Sequence, residues 1–325
     1  MSSERITRRD AIKAGAAAAV GSLGAASALG ESETQPPGAP VIGMATLGFG
    51  NHTNRRLAEE LARSGIRVVQ LFLNQSDSRY WKYNGRSDVS SMTAKRCEGI
   101  AAAYRSAGVS IHSLGVYTNL IHPDAAERAA NLAYFEAMMK IGGAMGVRAF
   151  ITEAGHYHDD KPAGPVPHHF QEKVWKMMVG VGKELARLAE RHQATVLFEP
   201  FFRGFLASAK RTRVFIEEVG SRRVRALLDP ANLLEVNDLE EMFTQLGPYV
   251  DCLHAKDRKL HVDRGVPAGE GDLDYPKFVA LAAKHTPRAP LILEYVGPKN
   301  YKQALAHLRQ AMSGCEQLGD LKSEI

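Results

Sequence analysis

Cysteine is scarce in this chain: three residues in 325, Cys97, Cys252 and Cys315, with no CxxC spacing among them. That excludes a disulfide framework and thiolate-built zinc modules, and leaves buried structural thiols as the simpler reading. Long apolar runs are missing as well. No segment approaches the roughly 18 unbroken apolar residues of a membrane-spanning helix, so no stable membrane insertion is expected. An excess of one charge is also lacking. The net charge is +5, and Arg5, Arg8, Arg9 and Lys13 against Glu4 and Asp10 account for +2, leaving +3 beyond residue 30. Such a balance does not call for a nucleic-acid partner. The three arginines Arg222, Arg223 and Arg225 precede a strand and read as solvated surface. Finally, Gly43 and Gly48-Phe49-Gly50 do not have the spacing of a dinucleotide-binding turn.

What is present divides the chain simply. Residues 1–30 resemble a twin-arginine export signal, with Arg8-Arg9 before a mild apolar stretch and Ala26-Ser27-Ala28 as a small-residue cleavage site. The expected location is periplasmic or extracellular. Residues 31–40 hold Pro36-Pro37 and Pro40 and read as a linker, and 319–325 as a tail. Between them, residues 41–318 alternate strand-like and helix-like segments eight times. Strands are expected near 41–47, 66–73, 109–114, 147–153, 195–199, 224–229, 250–256 and 290–295. Helices are expected near 54–64, 92–107, 124–145, 169–192, 208–219, 238–246, 275–285 and 299–318. The fold class is therefore α/β. Eight such units in one domain are what a (β/α)8 TIM barrel requires.

Four polar residues stand at the tails of the last four apolar runs: Glu199, Asp229, His254 and Glu294. In a barrel those tails converge on the face where active sites lie. Alternation along each strand pairs Leu197 with Glu199, Leu227 with Asp229, Cys252 with His254 and Ile292 with Glu294 on one side. Buried carboxylates must neutralise or find a cation, so the set points to one divalent metal ion. Mostly oxygen with one nitrogen suits Mn²⁺ first, with Mg²⁺, Co²⁺ or Zn²⁺ as alternatives. Such a cation would steady an enediolate while Glu199 and Glu294 move a proton on carbon.

Several motifs extend this pattern: Glu199-Pro200, Leu228-Asp229-Pro230-Ala231-Asn232, His254-Ala255-Lys256-Asp257 and Pro267-Ala268-Gly269-Glu270-Gly271-Asp272. Together they resemble the sugar phosphate isomerase/epimerase family, whose barrel is xylose-isomerase-like and which includes tagatose 3-epimerase, hydroxypyruvate isomerase and inosose dehydratase. The resemblance implies that Glu199, Asp229, His254 and Glu294 bind the metal and that the two glutamates exchange the proton. It also marks departures. The epimerase pattern after the fifth-strand glutamate resembles Glu-Pro-Leu-Asn-Arg-x-Glu, where this chain has Phe202, Arg203 and Phe205 at the last three informative places. Asn232 stands where the epimerases place a histidine.

Substrate-binding candidates are Lys256, Arg203, Asn232, His156, Glu153 and Trp81. The long 74–88 loop, with Tyr80, Trp81 and Tyr83, reads as a lid or a packing surface, and 154–168 as a second lid. The expected partner is a small carbohydrate, and a homo-oligomer is left open. The expected function is a metal-dependent isomerase or epimerase of an unphosphorylated keto-sugar, working by proton transfer next to a carbonyl. A lyase or dehydratase performing β-elimination on a 3-keto-glycoside or keto-inositol is the alternative, and a non-catalytic sugar-binding barrel the third reading. An abasic-site nuclease would need more histidines at strand ends.

Overall fold

Eight parallel strands close on themselves in chain order. They are β1 (Ile42–Ala45), β2 (Val68–Leu71), β3 (Ser110–Gly115), β4 (Ala149–Thr152), β5 (Thr195–Phe198), β6 (Val224–Leu228), β7 (Val250–Arg258) and, last, β9 (Leu291–Leu293). Closure comes from pairing of β6 with β7, β7 with β9, and β9 with β1. A short strand, β8 (Gly265–Pro267), runs antiparallel on the protruding end of β7. Helices α1 (Asn54–Arg63), α2 (Ala94–Ser106), α3 (Ala125–Ala144), α4 (Glu172–Arg191), α5 (Ala209–Val219), α6 (Leu239–Leu246), α7 (Tyr275–His285) and α8 (Tyr301–Ser323) complete a (β/α)8 barrel. The computed structural model describes residues 40–157, 166–262 and 264–323, with side chains of the last helix as far as 314. The expected export signal, residues 31–39 of the linker and residues 158–165 of the expected second lid lie outside the described residues.

Local chemistry explains the boundaries. Side-chain oxygens of Thr53, Thr93, Asp124, Ser208, Asp238 and Asp274 each accept from a backbone N–H in the first turn of the helix they precede. Each such cap contributes about 1 kcal/mol by satisfying a donor the helix cannot. After α2, Gly108 takes φ +69°, a left-handed turn that a side chain resists. Among the described residues, no helix is long and apolar enough to cross a membrane.

The core has two parts. One large apolar layer lies between strands and helices. A smaller one fills the barrel: Ala45, Phe72, Tyr117, Ile151, Leu197, Leu227, Cys252 and Ile292. Each of the eight strands, or the residues just past it, contributes one of these side chains. They form the floor on which the site stands. Gly43 is part of the fit, because a Cβ there would come 2.4 Å from Ile292 Cδ1 and 2.9 Å from the Val68 carbonyl.

β7 extends to Arg258, two residues past its expected end, since β8 supplies a hydrogen-bonding edge beyond the barrel. A three-residue strand carries too little alternation to be read from sequence. Asp257 closes this excursion by accepting from the backbone N–H groups of Gly269 and Leu273. The Gly269-Glu270-Gly271 segment is thereby a rim turn, and a Cβ at Gly271 would meet Asp257 Oδ1 at 2.3 Å.

Candidate active site

Glu199, Asp229 and Glu294 are the first residues beyond β5, β6 and β9, and His254 lies within β7. The residue two places before each is a floor side chain, so the pleat aims all four inward, one layer higher. Exposure is 3% for Glu199, 0% for Asp229 and His254, and 9% for Glu294. Each offers a ligand atom, and these atoms lie within 4.8 Å of one another. His254 Nδ1 faces three carboxylates: 3.3 Å to Glu199 Oε1, 3.5 Å to Asp229 Oδ2 and 3.4 Å to Glu294 Oε2.

The donor set fits a divalent cation on two grounds. First, His254 Nε2 lies 2.6 Å from Gln70 Oε1, an atom that can only accept, so Nε2 carries the proton. Nδ1 is then the ring nitrogen that faces the three carboxylates, and it becomes a ligand once a cation displaces its proton. Second, three carboxylates stand against one buried ammonium, Lys256, which is 2.7 Å from Asp229 Oδ2 and 2.9 Å from Glu294 Oε2. Two negative charges remain, which one divalent ion balances. The protein alone balances part of this with a proton. Burial opposes charge on His254, yet Glu294 and Glu199 outweigh it and push the imidazole up to about 10. Burial likewise opposes ionisation of Asp229, but Lys256 and then His254 hold it down at about 2.

The carboxylates are held from the sides. Tyr117 donates to Glu199 Oε2 at 2.6 Å, and Asn232 Nδ2 donates to Glu199 Oε1 at 2.8 Å. The Asn232 backbone N–H contacts Asp229 Oδ1 at 3.3 Å. After Glu294, Tyr295 takes a left-handed φ of +58°, which costs a non-glycine residue about 1 kcal/mol or more. Lys256 Nζ lies 4.6 Å from the centre of its ring, so the turn holds Tyr295 and Glu294 on two sides of one ammonium.

Above the quartet opens a cavity of about 830 Å³. Glu153, Glu199, Asn232, Lys256, Glu294 and Trp81 line it, together with Phe72, Tyr83, Tyr117, Arg258 and Tyr295. Trp81 lies edge-on to Phe72, and its buried Nε1 donor has no partner among the described residues. His156 joins from outside the lining, its Nε2 being 2.9 Å from the Tyr83 hydroxyl, which also donates to Glu153 Oε2 at 2.8 Å. Burial, then the Glu199 carboxylate, pushes Glu153 up to about 8. Arg203 stands over the Phe202 ring at 5.2 Å and is not among the lining side chains. Sequence reasoning did not single out Gln70, Tyr117, Arg258 or Tyr295. Gln70 left a signal, an amide inside the apolar run Val68-Val69-Gln70-Leu71. Tyr117 left none, because a tyrosine after a strand is ordinary.

Residues 58–311 match the family described as xylose isomerase-like TIM barrel. No curated protein matches the chain. Among solved structures, the chain is similar to 3-keto-D-glucoside 4-epimerase (YcjR) from E. coli, with 16% identity over 83% of this chain and 98% of that one, TM-score 0.65. A probable 3-DHS dehydratase (AsbF) from Bacillus anthracis gives 16% identity over 83% and 97%, TM-score 0.66. The IOLI protein, solved with a bound zinc atom, gives 14% identity over 85% and 97%, TM-score 0.64. At such identities these likenesses speak for the fold.

Proposed function

Since the chain belongs to the xylose isomerase-like TIM barrel family, we propose that it is a divalent-metal-dependent isomerase or epimerase of an unphosphorylated keto-sugar or a derivative of one. The observation that carries this reading is His254 Nδ1, buried within 3.5 Å of an oxygen from each of three carboxylates. Glu199, Asp229, His254 and Glu294 would hold the ion, with Mn²⁺ the first choice and Mg²⁺, Co²⁺ or Zn²⁺ the others. Bound there, the cation supplies positive charge against the oxyanion that develops when a carbon next to a carbonyl loses its proton.

The chain's own residues do the rest. Glu199 and Glu294, carried by the first and last strands of the set, would take and return the carbon proton. Tyr117 and Asn232 each hold one oxygen of the Glu199 carboxylate, which lines the cavity. Lys256 holds Glu294 in register through a 2.9 Å ion pair. The Trp81 indole offers a donor for a sugar hydroxyl, and Phe72, Trp81 and Tyr83 present ring surface to a sugar's C–H face. A cavity of about 830 Å³ accepts a mono- or disaccharide. Export through residues 1–30 would place the enzyme in the periplasm or outside the cell, where unphosphorylated sugars are met.

Elimination from a 3-keto-glycoside or keto-inositol is the second reading, favoured by Glu153, a further carboxyl that two-glutamate proton exchange does not need. The test is incubation of the Mn²⁺-loaded protein with ketoses and 3-keto-glycosides in D₂O. Carbon-bound deuterium in a recovered isomer supports the first reading, and an unsaturated or cleaved product the second. Finding neither exchange nor a new product with any of these sugars would overturn both. Mass-spectrometric metal analysis of natively purified protein identifies the ion.

A further inference from the structure

Glu153 has a feature that mere sugar contact does not require: it is wired to the surface. Its Oε2 accepts from the Tyr83 hydroxyl at 2.8 Å, and the same hydroxyl lies 2.9 Å from His156 Nε2. A phenol has one proton, so donation to Glu153 leaves its oxygen to accept from the imidazole N–H. The result is a continuous donor chain from His156 through Tyr83 to a carboxyl that lines the cavity. Tyr83 is 48% exposed and His156 is partly exposed, which puts the outer part of the chain within reach of water.

The surrounding backbone is shaped to hold this geometry. The His156 carbonyl accepts from Asn119 Nδ2 at 2.6 Å, and the His156 N–H donates to Asn84 Oδ1 at 3.3 Å. Asn84 itself adopts φ +51°, and Gly155 φ +92°. A Cβ at Gly155 would sit 2.6 Å from Asn119 Oδ1 and 2.7 Å from Asn119 Cα, so only glycine lets the two loops close to this distance. Two left-handed residues and two amide clasps bring His156 to Tyr83. Such local strain persists where the surrounding structure fixes it.

We propose that Glu153 is a third proton-handling group, acting on a substrate oxygen while Glu199 and Glu294 act on carbon, and that Tyr83 passes its proton to and from His156. This rests on the proton-transfer reading above. In the forward step the Glu153 O–H bond breaks and its proton joins a substrate oxygen. That oxygen takes the electron pair of its bond to carbon, the π pair of a carbonyl or the σ pair of a leaving group. The Tyr83 proton then moves to the Glu153 carboxylate, the tyrosine oxygen takes the Nε2 proton of His156, and the imidazole is reprotonated from solvent, the hydroxide so formed passing to the bulk. The reaction therefore moves a proton on oxygen as well as on carbon, as isomerisation and elimination do and as simple epimerisation does not.

Two measurements test this on the full chain, the first with Mn²⁺ and the second with diamagnetic Mg²⁺. In D₂O, with D-fructose, D-psicose and a methyl 3-keto-glucoside as probes, Glu153→Gln and Tyr83→Phe are expected to lose net product formation at least about tenfold more than carbon-bound isotope exchange. Parallel loss of both would make the three residues a loop latch and overturn the proposal. The second needs no substrate. In ¹⁵N-histidine-labelled protein, Glu153→Gln should move the His156 Nε2 resonance when Tyr83 is present and leave it in place in the Tyr83→Phe background. Equal movement in both backgrounds, or none in either, refutes the relay. Absence of both exchange and product in the parent protein would instead sink the carbon chemistry, with the resonance comparison still deciding whether the relay exists.

Discussion

Gln70 gives the sharpest test of the metal reading, because it touches the proposed ion only through His254. Its Oε1 accepts from Nε2 at 2.6 Å with both side chains fully buried. Replacement by methionine keeps the volume and removes the acceptor. The imidazole then loses what fixes its tautomer, and the proton can move to Nδ1, the atom among the carboxylates. Losing such a supporting partner typically weakens metal binding about 10- to 100-fold, or about 1.4–2.7 kcal/mol. Mn²⁺ affinity by chelator competition is the assay, with circular dichroism to verify the fold. Gln70→Glu retains the acceptor and should stay within about tenfold of the parent. An affinity for Gln70→Met within about twofold of the parent would refute the assignment of the tautomer. Were the glutamine amide turned, its N–H donating to Nε2, Gln70→Glu would be the damaging change, so the pair of variants separates the two orientations.

Three other outcomes are expected. Chelation of the metal should lower Tm by a few degrees, since saturation at about 100 times Kd is worth about 2.7 kcal/mol; a Tm indifferent to chelator and to added Mn²⁺ argues against the site. Tyr117→Phe removes a 2.6 Å hydrogen bond to buried Glu199, worth about 1.5–3 kcal/mol to a charged acceptor, and should slow isotope exchange at least tenfold; an unchanged rate would remove Tyr117 from the alignment of Glu199. Burial, then the positive charge of His168, lowers the buried His169 from 6.5 to about 4. The unfolded chain therefore binds the proton more readily, and the stability from neutral His169, of order 3 kcal/mol, is complete above about pH 6.5 and lost as the pH falls toward 4. Urea titrations of His169→Gln across this window should be flatter than those of the parent, and an equal slope would contradict the assignment.

How far the sequence reaches depends on the range over which each signal acts. Alternation and helix periodicity are local, and all eight barrel strands and eight helices fall within a few residues of where the pattern places them. The inward set of Glu199, Asp229, His254 and Glu294 was legible for the same reason: parity along a strand needs no tertiary knowledge beyond barrel closure. What escaped is non-local. Gln70 and His254 are 184 residues apart, and Tyr117 and Glu199 are 82 apart. Nothing in either local pattern says that the two side chains meet. The Tyr83–His156 contact depends on Gly155 permitting close approach, a steric condition visible only once Asn119 is beside it.

The barrel is also divided chemically, and the division bears on what it can hold. Beyond β2 and β3 the inward side chains are Phe72 and Tyr117, stacked at 5.7 Å, with Trp81 and Tyr83 leaning over them. From β5 to β9 the inward side chains above the floor are ionic. A ligand bridging these halves meets ring faces on one side and fixed charge on the other. A sugar has that dual character, with C–H groups on one face and vicinal oxygens at its edge, whereas an apolar ligand would leave the ionic half desolvated without exchange. The same division explains why the quartet clusters on consecutive strands. Carboxylates spread evenly around the barrel would each need a separate cation, while three carboxylates and an imidazole on neighbouring strands could share one and leave the aromatic half free to contact a ligand.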